Sequence, residues 1–224
     1  MTDKESVKRL LEEGRFEPLL EAAGRGPQLF RVLISLAFDK EDLVCWRAIE
    51  AVGAVAGELS KTSPDRVRTL AQRLLWMMRD ESGNNISAAP EMLGEIVRNA
   101  PEVFSDIAPI IASFHDEEGL RRGVLRGLLR IAEAAPELAG QAAYLCRKYL
   151  QDPDPVVRAY AVLLARALGL AECLAAIEAL TSDGNEVRLY QDGSFRTLAL
   201  GKIACETVIL LSQGKNINGT GQRS

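Results

Sequence analysis

The sequence contains a single histidine, His115, and no CxxC pair. Cys45, Cys146, Cys173 and Cys205 stand 101, 27 and 32 residues apart. That spacing excludes the paired ligands of a structural zinc site and predicts buried free thiols in a reducing compartment. No metal and no cofactor is expected. There is no Ser-His-Asp set, no glycine-rich phosphate loop and no close carboxylate pair with an evident partner, so nothing assembles into a catalytic constellation. Long apolar runs are also missing: nowhere do the about 18 residues needed for a membrane span follow one another. The opening MTDKESVKRLLEEG mixes acids and bases without the apolar stretch of an export signal, which places the expected location in the cytoplasm. A net charge of −4 argues against a chain that gains its affinity by neutralising nucleic-acid phosphates.

Almost nothing alternates as a strand does before residue 186. Apolar residues recur instead at helical spacing: Leu29, Val32, Leu33, Leu36 and Ala37 share one face, as do Val67, Leu70, Ala71, Leu74, Leu75 and Met78, and similar series fall within 103–114, 138–150 and 171–180. Helix starts are marked by SPDRV at 63–67, APEML at 89–93, APEVF at 100–104 and APELA at 135–139. Proline lacks the N–H that a first turn cannot use, and the acid after it faces the positive end of the helix dipole.

These short helices repeat. Arg47 in VCWRAIEAVG aligns with Arg122 in GLRRGVLRGL, Arg158 in PVVRAYAVLL and Arg196 in SFRTLALGKI, with Ala88 in that place in the second unit. The anchors 47, 88, 122, 158 and 196 are 41, 34, 36 and 38 residues apart, and an acidic turn precedes each. One helical hairpin per period is the signature of an array whose units stack to share a core.

The turn from Asp152 to Arg158, DPDPVVR, followed by Val162, Leu163, Leu168 and Gly169, resembles the core pattern of HEAT repeats, including the short repeats named after phycobilisome lyases. CWRAIEAVG at 45–53, QRLLWMMRDESGNN at 72–85, APEMLGEI at 89–96 and RRGVLRGLLRIAE at 121–133 resemble a group of small, uncharacterised prokaryotic HEAT-repeat proteins. That group carries tryptophans where this chain has Ser87 and Arg126, which leaves Trp46 and Trp76. The resemblance implies an all-α fold, a right-handed α-solenoid of about five HEAT-like helical hairpins. It implies no activity.

Two surfaces stand out as candidate sites. The first is the stretch DESGNN, whose place is that of a repeat turn and whose composition suits one; the small Ala88 behind it nevertheless predicts a recess beside Asp80, Glu81, Asn84 and Asn85, walled by Trp76 or Trp46. The second is a charged strip on the second helices. Arg122, Arg126 and Arg130 recur at i, i+4 and i+8, and Glu91 and Glu95 at i, i+4 on the helix before. They read either as inter-repeat ion pairs, with Arg47, Arg122 and Arg158 tied to the acidic turns, or, with Glu50, as contacts on a concave recognition face.

The expected function is a noncatalytic scaffold binding a protein or peptide on that face. The alternative is a cofactor-handling accessory or degenerate bilin-lyase-like protein with a small-molecule ligand near Trp46 and Trp76. A base glycosylase is a weaker reading, since Asp80 near Trp76 only faintly imitates its carboxylate beside aromatics. The chain divides into capping helices at 1–27, repeats at 28–182, a hairpin and capping helix at 183–212, and a disordered tail at 213–224. Alternation around Asp192-Gly193 in EVRLYQDGSFRTL predicts the hairpin, which is expected to cap the array, with helix resuming over 198–211.

Overall fold

A computed structural model describes residues 3–25, 27–79 and 88–218. Two short helices, α1 (Lys4–Glu12) and α2 (Glu17–Glu21), open the chain. The Asp3 carboxylate accepts from the Ser6 amide to cap α1. Antiparallel pairs follow. The first repeat is α3 (Pro27–Leu36) with α4 (Leu43–Ser60), and the second is α5 (Pro64–Met78) with α6 (Ala89–Asn99). The third consists of α7 (Pro101–Phe104) and α8 (Ile107–Ser113) against α9 (Glu118–Ala134). In the fourth, α10 (Pro136–Ala139) and α11 (Ala143–Tyr149) precede α12 (Pro155–Ala167). The last unit has α13 (Leu174–Glu178), a hairpin of β1 (Glu186–Gln191) and β2 (Ser194–Ala199), and α14 (Leu200–Asn218).

The second helices were expected to begin near 43, 86, 118, 155 and 198. They begin at Leu43, Ala89, Glu118, Pro155 and Leu200. Asp42 and Asp154 cap α4 and α12 by accepting from the Val44 and Val156 amides, which sets those starts. Two outer helices differ from the periodic reading. APEVF and APELA each start only a single turn, after which the chain bends and restarts as α8 and α11. At the far end the backbone of α14 continues to Asn218. A helix already nucleated by its packed face extends at little cost per residue. Residues 219–224 lie outside the described ones.

The inner helices α4, α6, α9, α12 and α14 pack side by side in chain order, and a continuous core of buried Leu, Ile, Val and Ala runs through the array. Small residues set the spacing between α6 and α9. A Cβ added to Gly127 would lie 2.6 Å from the Pro90 carbonyl oxygen, and one on Gly94 would lie 2.5 Å from the Gly127 Cα. Because backbone and not a flexible side chain occupies that space, Gly127→Ala is expected to destabilise the protein by about 3 kcal/mol through overpacking. Urea unfolding monitored by circular dichroism measures it. On the outer layer, Arg68 ties the second repeat to the third: its Nη1 donates to Asp106 at 2.7 Å and its Nη2 to the Val103 carbonyl at 2.8 Å.

The repeat register differs by one residue from the arginine alignment. Trp46 Nε1, Arg121 Nε and Arg158 Nη1 each donate to a turn carbonyl six residues earlier, those of Lys40, His115 and Asp152. Trp46, Arg121 and Arg158 are therefore the equivalent positions, each four residues after its N-cap. The sequence alignment used Arg47 and Arg122 because like side chains outweigh a tryptophan doing an arginine's work. Arg158 does tie to its own turn, and its Nη2 reaches Asp183 at 2.8 Å. Arg122 pairs instead with Asp154 of the next repeat.

The three cysteines at 45, 146 and 173 are buried and free, and Cys205 is free and exposed. Burial pushes the Cys45 and Cys146 thiols up to about 12, which leaves them protonated and unreactive at neutral pH. His115 is buried in the turn after α8, with Nδ1 2.7 Å from the Tyr149 hydroxyl. No helix among the described residues is long and apolar enough to cross a membrane.

Candidate functional site

The hairpin does more than cap the last repeat. Its register pairs Gln191 with Ser194 across a two-residue turn, and both turn residues have positive φ, 49° at Asp192 and 76° at Gly193. That is the twist-matched turn which Asp-Gly favours. Leu189 and Tyr190, on opposite faces of β1, are both buried, as in a strand held between two surfaces. One of those surfaces belongs to the first repeat, about 140 residues earlier in sequence.

Curvature of the inner layer brings the two ends together. Tyr190 stacks on Trp46 with ring centroids 5.5 Å apart and planes 12° from parallel, and its hydroxyl donates to Glu50 at 2.5 Å. Arg47 donates through Nη1 to the Leu11 and Glu12 carbonyls, at 2.8 and 2.7 Å, and through Nη2 to the Gly193 carbonyl at 3.1 Å. It thereby joins the N-terminal cap, the first repeat and the hairpin turn. Arg188 pairs with Glu41 at 2.5 Å. A planar fork with several donors suits such a junction of carbonyls.

Beneath the hairpin lies the charged strip that the sequence placed on the concave face. Glu91 and Glu95 are 2 % and 1 % exposed and Arg126 is 3 % exposed, so none of them is an open contact. Glu95 is held by Arg130 at 2.6 Å, and Glu91 by Lys40 at 2.6 Å. Arg130 also approaches Glu50, at 3.6 Å, and pairs with Glu133. The inter-repeat ion-pair reading of Glu95 and Arg130 thus fits the geometry, while Glu91 is taken by a lysine from the first repeat's turn. Burial raises the pKa of Glu50, opposed by the Tyr190 hydroxyl and by Arg130. Arg126 meets no carboxylate within ion-pair distance among the described residues; its guanidinium sits 5.0 Å from the Trp46 ring centroid and 5.6 Å from that of Tyr190.

The two tryptophans do not form one wall. Trp46 is buried under the hairpin and borders an open pocket lined by Lys40, Glu91, Tyr160, Arg188 and Phe195. Trp76 is not among its walls: it is 64 % exposed on α5. Ala88 is buried at the N-cap of α6. Asp80, Glu81, Asn84 and Asn85 lie outside the described residues. The sequence reading missed Lys40, Tyr160 and Tyr190. Tyr190 could have been noticed, since it falls off the Val187, Leu189 alternation and yet is an aromatic in a short hairpin.

Stacked helical hairpins around a continuous core define an α-solenoid of the armadillo and HEAT kind. A designed armadillo repeat protein superposes with a TM-score of 0.52 at 18 % identity, over 93 % of this chain and 92 % of that one. A HEAT-like repeat protein of Thermococcus onnurineus NA1 gives a TM-score of 0.46 at 14 % identity, over 94 % and 81 %. No family model matches the chain. An uncharacterised protein of Archaeoglobus fulgidus is 30 % identical over 139 residues, 61 % of this chain and 73 % of that protein. The chain belongs to the family of that archaeal protein.

Proposed function

We propose that this protein is a noncatalytic cytoplasmic scaffold that docks an acidic, amphipathic segment of a protein partner in the outer groove between α3 and α5. The observation that carries this reading is an apolar floor flanked by cations. Phe30, Ile34, Leu59 and Leu70 line a groove of about 150 Å³, and Arg31, Arg66 and Arg73 stand beside it. No acid among the described residues pairs with any of the three arginines. Thr69, Arg73 and Trp76 follow at i, i+4 and i+7 on α5, so the exposed indole continues the groove wall. An apolar groove with like charges along its rim is the setting for a helix that buries one face and presents acids on its flanks. The concave face expected for this role is covered by the chain's own hairpin over Trp46, Glu50 and Arg126.

A display library of acidic amphipathic helices supplies the probe. For the tightest binder, Trp76→Ala is expected to weaken affinity about 30-fold, as loss of an aromatic anchor does. Arg66→Glu combined with Arg73→Glu should weaken it at least about tenfold and flatten its salt dependence. Affinities left unchanged by both sets of substitutions would sink the reading.

A further inference from the structure

The geometry points to a binding site for a small phosphorylated ligand in the polar cleft between the hairpin and the inner helices α9, α12 and α14. The cleft encloses about 360 Å³, the size of site that takes a small metabolite. Five cations line it: Arg126, Arg130, Arg166, Arg196 and Lys202. Two are already neutralised, Arg130 by Glu95 and Glu133 and Arg196 by Asp192. Arg126, Arg166 and Lys202 pair with no acid among the described residues. On the acidic side, Glu50 is engaged by Tyr190 and Arg130, which leaves Glu206 as the lining acid without an ion pair among the described residues. Among the described residues, three lining cations and one lining acid are thus left without an ion pair.

Arg126 is the second and independent observation. The residue is 97 % buried, its Nε finds no hydrogen-bond acceptor among the described residues, and the faces of Trp46 and Tyr190 lie against its guanidinium while Glu50 acts on it from beyond ion-pair distance. A buried cation without a carboxylate is costly unless something completes it. Rings on one side hold the guanidinium in place and leave its donors to a ligand, and three cations from three helices match a dianionic phosphate better than a single carboxylate. This site lies on the inner face, apart from the α3/α5 groove, so the fate of one proposal does not decide the other.

Thermal shift and calorimetric titration of the full chain test it, with ribose 5-phosphate and inorganic phosphate as anionic probes and ribose as the neutral one. Ribose 5-phosphate is expected to raise the melting temperature saturably, as a ligand selective for the native state must. Arg166→Ala and Lys202→Ala, both outside the core, are each expected to weaken its apparent Kd at least about tenfold while leaving the unliganded melting temperature unchanged. Ribose should give no shift. The proposal is overturned if neither phosphate probe gives a saturable shift, or if both variants retain the wild-type Kd.

Discussion

Arg130→Ala is expected to remove about 3–5 kcal/mol of stability, because it takes from the Glu95 carboxylate, 1 % exposed, its hydrogen-bonded cation and leaves it only Arg98, 3.6 Å away. That is a large share of the roughly 5–15 kcal/mol that holds a typical domain together. Arg130 also pairs with Glu50 and Glu133, so its loss affects both the α6/α9 contact and the link to α4. The control is the double variant Arg130→Leu with Glu95→Leu. It eliminates the orphaned charge along with the pair, and most of the lost stability should return. Urea denaturation of the wild type and the two variants gives the comparison. Equal loss in Arg130→Ala and in the double variant would mean that packing, not charge compensation, is what Arg130 contributes.

Tyr190→Ala should be comparably severe, at about 3–5 kcal/mol for deleting a buried aromatic. The ring covers Trp46, faces Arg126 and carries the hydroxyl that serves Glu50. Tyr190→Phe separates these roles: it keeps the stack and deletes only the hydrogen bond to a carboxylate, an expected loss of about 1.5–3 kcal/mol. Fluorescence of Trp46 in a Trp76→Phe background reports the same event locally, since exposing the indole should shift its emission to the red in Tyr190→Ala and not in Tyr190→Phe. A Tyr190→Ala protein as stable as wild type would mean that the hairpin is an ornament on the array.

Much of the fold was legible in the sequence because its signals are local. Proline with a following acid marked the starts of α5, α6, α7 and α10, acidic turns preceded α4 and α12, and Asp192-Gly193 marked the hairpin. What escaped was set by contacts distant in sequence. The alternation of Val187 and Leu189 announces a strand but not what covers it, and only the curvature of the inner helices brings Tyr190 to Trp46. The same cause hid the burial of Glu91, Glu95 and Arg126: helical spacing assigns them to one face of their helices, yet such a face is exposed only if nothing folds back over it. Arg47 and Arg122 were misaligned because Trp46 Nε1 performs the turn-carbonyl contact that arginine performs at Arg121 and Arg158. No residue pattern announces that substitution.

The closure of the solenoid by its own hairpin is tested most directly by nuclear Overhauser contacts between the rings of Trp46 and Tyr190 in solution. With centroids 5.5 Å apart, cross-peaks between their ring protons are expected, together with slow exchange of the Trp46 indole N–H that donates to the Lys40 carbonyl. Absence of those cross-peaks in the folded protein, with the indole N–H exchanging as fast as that of the exposed Trp76, would contradict it.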